Sequence, residues 1–173
     1  MKTHCYILLL VLFVSFSQCK KKYEKAGLQE LSNFGNNKGN LNAYFYEPEN
    51  VQSNAPLLVA LHGCTQNALE MSLSTGWNDL ADRYGFYVLY PEQKTINNAT
   101  KCFNWFLEGD INKGQGEVSS INDMINKLVA TKSINTSQIY ITGLSAGGAM
   151  TMAMVSCYPQ TFKGAIVMAG VPY

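Results

Sequence analysis

The sequence predicts an α/β fold with a doubly wound, mostly parallel sheet, and three observations support this prediction. Continuous apolar runs over residues 57–61 and 86–90 are typical of strands that are covered on both faces. Residues 121–129 carry apolar side chains at helical spacing, which indicates an amphipathic helix. Short turns connect nearly all of these elements, as they do in sheets where strands alternate with helices. Only residues 92–116 form a long irregular stretch.

The remaining elements complete the alternation. Residues 41–46 alternate and are rich in aromatic side chains, which predicts an edge strand ahead of the first buried strand. Residues 77–84 have apolar positions at helical spacing, and Gly85 ends that helix. The last three elements are a strand, a helix and a strand, over residues 139–142, 145–158 and 165–169.

The most informative segment runs from Ile139 to Met150 and reads IYITGLSAGGAM. A β-branched strand breaks there into Gly-Leu-Ser-Ala-Gly, and a helix of small residues follows. This is the context of a nucleophile elbow, in which Gly143 and Gly147 let the backbone pass close to the serine. We therefore expect an α/β-hydrolase fold in which Ser145 attacks an acyl carbonyl. The N-terminus of the new helix would face the developing oxyanion.

A second motif, Leu61-His-Gly-Cys-Thr-Gln66, follows the first buried strand. In an α/β-hydrolase this turn supplies an oxyanion donor, beside the N–H of the residue after the nucleophile. We assign these donors to Cys64 and Ala146, with Thr65 as the alternative within the turn. His62 lies inside the turn and ahead of the serine. We expect it to hold the turn by hydrogen bonding and not to act as the catalytic base.

The sequence contains no partner for the serine in the expected place. A serine hydrolase needs a histidine base and a carboxylate, and this fold places both after the nucleophile. Not one Asp, Glu or His follows Ser145. We therefore expect residues 33–173 to be the N-terminal part of the domain, with the C-terminal strands and the catalytic Asp and His missing. A triad without its histidine loses about 10⁶-fold in turnover.

The N-terminus predicts export. Lys2 gives residues 1–19 a positive start, and the apolar stretch over residues 6–16 is too short to span a bilayer. One interpretation is a cleaved secretory signal. The other is a bacterial lipoprotein signal, in which Cys19 is lipidated and attaches the protein to a membrane. In either case the protein is extracellular or periplasmic, and residues 20–32 form a polar tether.

Composition excludes several classes of function. The net charge is +1, Arg83 is the one arginine among 13 basic residues, and no basic stripe suggests nucleic acid. After the signal His62 is the only histidine, so we expect no metal site and no cofactor. Three cysteines follow the signal, which in an oxidising compartment favours one bridge and one buried thiol. They are Cys64, Cys102 and Cys157. The oligomeric state stays open.

Five blocks of sequence resemble secreted esterases of the polyhydroxybutyrate-depolymerase type, which are related to feruloyl and acetylxylan esterases of the first carbohydrate-esterase family. The resemblance runs from about Asn33 to Tyr173, in the order of that family. Departures are Lys38, where the family usually has proline, and Phe103, where it often has tryptophan. The blocks are Asn33–Leu41, Pro56–Gln66, Tyr90–Gln93, Lys101–Phe106 and Gly143–Met150.

The resemblance implies a serine esterase that acts on polyhydroxyalkanoates or on feruloyl or acetyl esters of plant cell walls. It also implies a disulfide between Cys64 and Cys102, and it makes Trp105 a flat platform for an aromatic or polymeric acyl group. Packing of Trp105 on the core is the alternative. Two other functions stay open: an inactive lipoprotein that binds polymer or glycan, and a serine peptidase or thioesterase on the same fold.

Overall fold

The computed structural model describes residues 21–173 and contains one six-stranded mixed sheet. The strand order is β1-β2-β4-β3-β5-β6. Strands β3, β4, β5 and β6 run parallel, whereas β1 and β2 add antiparallel pairings at one side. The predicted α/β fold with a mostly parallel sheet is confirmed. The strands are β1 Leu28–Glu30, β2 Asn42–Tyr46, β3 Ala55–Leu61, β4 Tyr87–Glu92, β5 Ile134–Leu144 and β6 Gly164–Met168.

Helices cover both faces of this sheet. The helices are α1 Ala68–Thr75, α2 Trp77–Tyr84, α3 Glu108–Ile111, α4 Gly116–Thr131 and α5 Ala146–Cys157, and residues 21–25 are helical as well. The larger core cluster joins α4 and α5 to one face, and the smaller cluster joins α1 and α2 to the other. Within residues 21–173, no helix has both the length and the apolar character needed to cross a membrane.

Strand β3 shows why the buried strands read as continuous apolar runs. Leu57, Val59 and Leu61 point into the larger cluster, while Leu58 and Ala60 point into the smaller one. Because successive side chains of a strand point to opposite faces, a strand that is covered on both faces has no polar position. The carboxyl end of β3 leads into the turn that begins at His62, so the core fixes where this turn starts.

The N-terminal side of the domain differs from the prediction. Within residues 20–32, which the sequence analysis assigns to a tether, Leu28–Glu30 form strand β1 and pair with β2. Strand β2 therefore lies inside the sheet, and its prediction as an edge strand is wrong. Tyr23 is buried, and its hydroxyl donates a hydrogen bond to Glu92 Oε2 at 2.7 Å. The expected signal over residues 1–19, including Cys19, lies outside the described residues.

Candidate active site

Ser145 connects β5 to α5 at the carboxyl end of the sheet. Its backbone has φ 55° and ψ −118°, a conformation that a residue with a β-carbon adopts only under strain. The Ser145 N–H donates to the Met168 carbonyl oxygen at 2.8 Å, which ties the turn to the end of β6. The serine itself is exposed. The sharp turn therefore presents the hydroxyl to solvent at the edge where ligands of such sheets bind.

Glycines allow the backbone to close around this turn. A β-carbon at Gly143 would overlap the Gly147 carbonyl oxygen, and one at Gly147 would overlap the carbonyl oxygens of Leu61 and His62. The first turn of α5 thus lies directly against the end of β3. Both glycines of the predicted elbow are required by these close approaches, because any side chain would separate the two segments.

The turn after β3 lies beside the nucleophile. A β-carbon added at Gly63 would lie 3.6 Å from the Ser145 Cβ. The N–H of Thr65 donates to the Thr100 carbonyl oxygen at 2.6 Å, so the alternative oxyanion donor is already engaged. Within residues 21–173, the N–H groups of Cys64 and Ala146 donate to no protein acceptor. These two donors are the ones left available to a ligand.

His62 is fully buried, and both of its ring nitrogens have partners. Nδ1 lies 2.7 Å from the Gly63 carbonyl oxygen, which can only accept, so Nδ1 carries the proton. Nε2 then accepts a hydrogen bond from the Gln93 N–H at 3.1 Å. Burial lowers the pKa of His62 and favours the neutral ring. These contacts match a histidine that holds the turn, and they leave no nitrogen free to take a proton from Ser145.

A disulfide ties the turn to the long loop. Cys64 and Cys102 are joined with an Sγ–Sγ distance of 2.03 Å, and this is the pair that the resemblance implies. The third cysteine of the described region, Cys157, is a free and buried thiol that lies 2.8 Å from the Ile111 carbonyl oxygen. Residues 93–107 are thereby fastened beside the candidate oxyanion donors.

Sequence reasoning missed a buried polar cluster behind this turn. Glu117 is 1% exposed, and its carboxyl group accepts hydrogen bonds from Gln93 Nε2 at 2.5 Å and from the Asn104 N–H at 2.9 Å. Burial raises the pKa of Glu117 to about 8. The sequence contains one indication that Glu117 is buried. It lies on the apolar face of helix α4, with Val118 and Ile121.

The contacts of Trp105 agree with the alternative that it packs on the core. It is half-buried against the larger core cluster and meets Phe106 edge to face, with ring centroids 5.6 Å apart. Phe106 and Leu107 are the exposed apolar residues beside it. The platform role of Trp105 stays a prediction.

Comparison with known proteins agrees with this geometry. The family described as "Esterase PHB depolymerase" matches residues 41–173. Poly(3-hydroxyalkanoate) depolymerase C of Paucimonas lemoignei is 51% identical over 146 residues, which cover 84% of this chain and 35% of that protein. Acetylxylan esterase A of Emericella nidulans is 34% identical over 146 residues, which cover 84% of this chain and 47% of that protein.

A solved structure supports the same assignment. The acetyl xylan esterase from Aspergillus awamori superposes with a TM-score of 0.80 at 31% identity, over 84% of this chain and 52% of that chain. The chain thus spans a third to about a half of the length of the relatives that it matches. The predicted family is confirmed, and the chain belongs to the family of polyhydroxybutyrate-depolymerase esterases.

Proposed function

We propose that the protein is a serine esterase that hydrolyses carboxylic esters through an acyl-serine intermediate. One observation carries the proposal: an exposed Ser145, in a strained backbone conformation, lies beside two N–H groups that no protein acceptor of the described region uses. Ser145 Oγ would attack the ester carbonyl, and the N–H groups of Cys64 and Ala146 would bind the resulting oxyanion. The alcohol then leaves, and water releases the acid from the acyl-serine.

The serine must lose its proton during the attack, and we propose that the base lies outside these 173 residues. His62 cannot serve, because its two nitrogens are engaged within the turn. No Asp, Glu or His follows Ser145, although the fold places both partners after the nucleophile. The greater length of the relatives is consistent with this. We use "the complete protein" for the chain together with the segment that supplies these groups.

We propose a polyester of hydroxyalkanoic acids as the substrate. The relative that carries that activity in its name is 51% identical, whereas acetylxylan esterase A is 34% identical. The exposed side chains of Phe106 and Leu107, next to Trp105, add an apolar surface on the loop that is bridged to the oxyanion turn. The second candidate is an acetyl or feruloyl ester of a plant cell-wall polysaccharide, which the TM-score of 0.80 to an acetyl xylan esterase favours.

Export is part of the proposal. The disulfide between Cys64 and Cys102 supports an oxidising compartment, because such bridges are rare in the cytosol. Lipidation of Cys19 would then retain the protein at a membrane.

The acyl-serine intermediate provides the test. The complete protein should clear a suspension of polyhydroxybutyrate, and brief incubation with p-nitrophenyl butyrate should add one butyryl group to the peptide that contains Ser145. Ser145→Ala should abolish both results. Ser53→Ala is the matched control, since Ser53 is exposed in the turn before β3, at the opposite end of that strand from the site. Acylation that persists in Ser145→Ala would exclude this mechanism.

A further inference from the structure

Gln93 contacts both segments that the disulfide joins. It follows directly after β4 and is 1% exposed. Its backbone N–H donates to His62 Nε2 at 3.1 Å, and its side-chain Nε2 donates to the Cys102 carbonyl oxygen at 3.1 Å. Its Oε1 accepts from Asn97 Nδ2 at 2.8 Å and from the Lys94 N–H at 3.0 Å. The amide of this side chain is therefore fully hydrogen-bonded and has one orientation.

Glu117 holds Gln93 from the side of helix α4. Its carboxyl group accepts hydrogen bonds from the second N–H of the Gln93 amide and from the N–H of Asn104, and its own backbone N–H donates to Asp110 Oδ1 at 3.2 Å. A carboxyl that is buried from water is costly unless donors satisfy its oxygens, and here two donors do so. Glu117 lies in the first turn of a 16-residue helix that packs in the larger core cluster. The polar cluster is thereby anchored to a rigid element.

We infer that Gln93 and Glu117 are positioning residues that fix the N–H of Cys64 as an oxyanion donor. This inference rests on the proposed function. Neither residue needs to contact the substrate, because they act through the residues on either side of the donor. His62 holds the turn on the N-terminal side of Cys64. The disulfide to Cys102 holds Cys64 through its side chain. An oxyanion donor contributes only when its position is fixed before the reaction.

A merely structural role would lower stability and leave the catalytic constants of the folded enzyme unchanged. A positioning role predicts a different pattern. Because the donor acts on the charge that develops during attack, its displacement should lower kcat and leave KM nearly unchanged. Complete loss of one such donor costs about 10²–10³ in kcat. We expect a smaller loss, of about tenfold, from a donor that is loosened but still present.

The first test needs no catalysis and uses the full 173-residue chain. Two glutathione thiols reduce the bridge to two cysteine thiols and form one glutathione disulfide, so the equilibrium reports how firmly both segments are held. Gln93→Met keeps an unbranched side chain of similar length and removes the amide. We expect the bridge of this variant to open about tenfold more readily, because the four hydrogen bonds of the amide are lost, among them the one to the Cys102 carbonyl oxygen. Gln52→Met is the matched control, since Gln52 is exposed and its amide donates to the Asn50 carbonyl.

The second test measures kcat and KM of the complete protein with p-nitrophenyl butyrate. Gln93→Met and Glu117→Gln should each lower kcat about tenfold with KM within twofold, and Gln52→Met should change neither. If Gln93→Met fails to fold, Glu117→Gln carries both tests, because it keeps the size and one acceptor oxygen.

The outcomes separate the two proposals. An unchanged glutathione equilibrium would overturn the restraint on the bridge, and an unchanged kcat in a folded variant would overturn the positioning role. A shifted equilibrium in a protein whose wild type shows no Ser145-dependent hydrolysis would support the restraint and refute the proposed function.

Discussion

Gly147 lies so close to the carbonyl oxygen of Leu61 that no β-carbon fits between them. This contact packs the start of the nucleophile helix against the end of β3, so the elbow and the oxyanion turn form one unit. The distance between Ser145 and the start of the oxyanion turn is therefore set by backbone contact.

Replacing this glycine should damage both stability and activity. Gly147→Ala must push the helix away from β3, so we expect a loss of about 1–3 kcal/mol in unfolding free energy. In the complete protein we expect hydrolysis to fall by at least about a hundredfold, because the oxyanion donors move relative to the serine. Urea unfolding and initial rates measure the two effects. Gly109→Ala is the control, since a β-carbon there meets nothing within 4 Å. Full activity in Gly147→Ala would refute the account.

The 173-residue chain should be nearly inactive by itself. With His62 engaged and no base after Ser145, residues 1–173 should hydrolyse p-nitrophenyl acetate barely above background. The complete protein should exceed it by about 10⁶-fold, the usual effect of a missing triad histidine. Strong esterase activity of the 173-residue chain that disappears in Ser145→Ala would show that a residue within this chain acts as the base.

Glu117 should make stability depend on pH. Its pKa is raised from 4.5 to about 8 on folding, so the folded chain keeps a proton that the unfolded chain has released. Stability contributed by this group is therefore lost as pH rises between these values, by at most ~1.4 kcal/mol per pH unit. Burial lowers the pKa of His62, which acts in the opposite direction below its ordinary value of 6.5, so the cleanest window is pH 7 to 8.

In that window the wild-type chain should lose stability in urea unfolding, and Glu117→Gln should lose less. Glu108→Gln, at an exposed position of α3, should retain the wild-type slope. Parallel slopes in all three proteins would mean that Glu117 is already ionised at neutral pH.

His62 should stay neutral across the physiological range. Its pKa is lowered by burial, and Nδ1 keeps its proton through the hydrogen bond to the Gly63 carbonyl oxygen. We expect the NMR signal of its Cε1–H to hold its position from pH 8 to pH 6, whereas free imidazole shifts over this range. A His62 signal that titrates like free imidazole would reopen its assignment as the base.

Cys19 should be the first residue of the mature protein and carry lipid. Mass spectrometry of the mature N-terminus measures this directly, and Cys19→Ser should release the protein from the membrane fraction. Cys157→Ser is the control, because this buried thiol belongs to the folded domain. An unmodified N-terminus at any other residue would refute lipidation.

The elements that could be predicted from the sequence are those whose pattern of residues is contained within one continuous segment. Strand β3 has a continuous apolar run, and the elbow concentrates its glycines within a few residues. Strand β1 has three residues, of which Leu28 alone is buried, so its pattern is too short to separate from a tether. Strand β2, with which it pairs, does alternate, but the pairing of Leu28 with Tyr46 leaves no mark in the three residues of β1.

The polar cluster behind the site was missed for a related reason. Gln93 and Glu117 are 24 residues apart, and a glutamate in the first turn of a helix is usually a solvated residue that favours the helix dipole. Only the packing of α4 on the sheet brings its carboxylate into the interior. The nucleophile elbow could be predicted because consecutive residues form it. The polar cluster of Gln93 and Glu117 could not, because only tertiary contacts bring these two residues together.

The burial of Tyr23 limits how far the domain could travel from an anchored N-terminus. Its hydroxyl donates a hydrogen bond to Glu92 within the fold, so only four residue steps along the chain would separate a lipidated Cys19 from a residue that is fixed in the domain. Even fully extended, four steps reach about 14 Å, less than the diameter of a small domain. An enzyme held in this way would hydrolyse only polymer that touches the cell surface. Insoluble granules would then be degraded only after the cell itself had made contact with them.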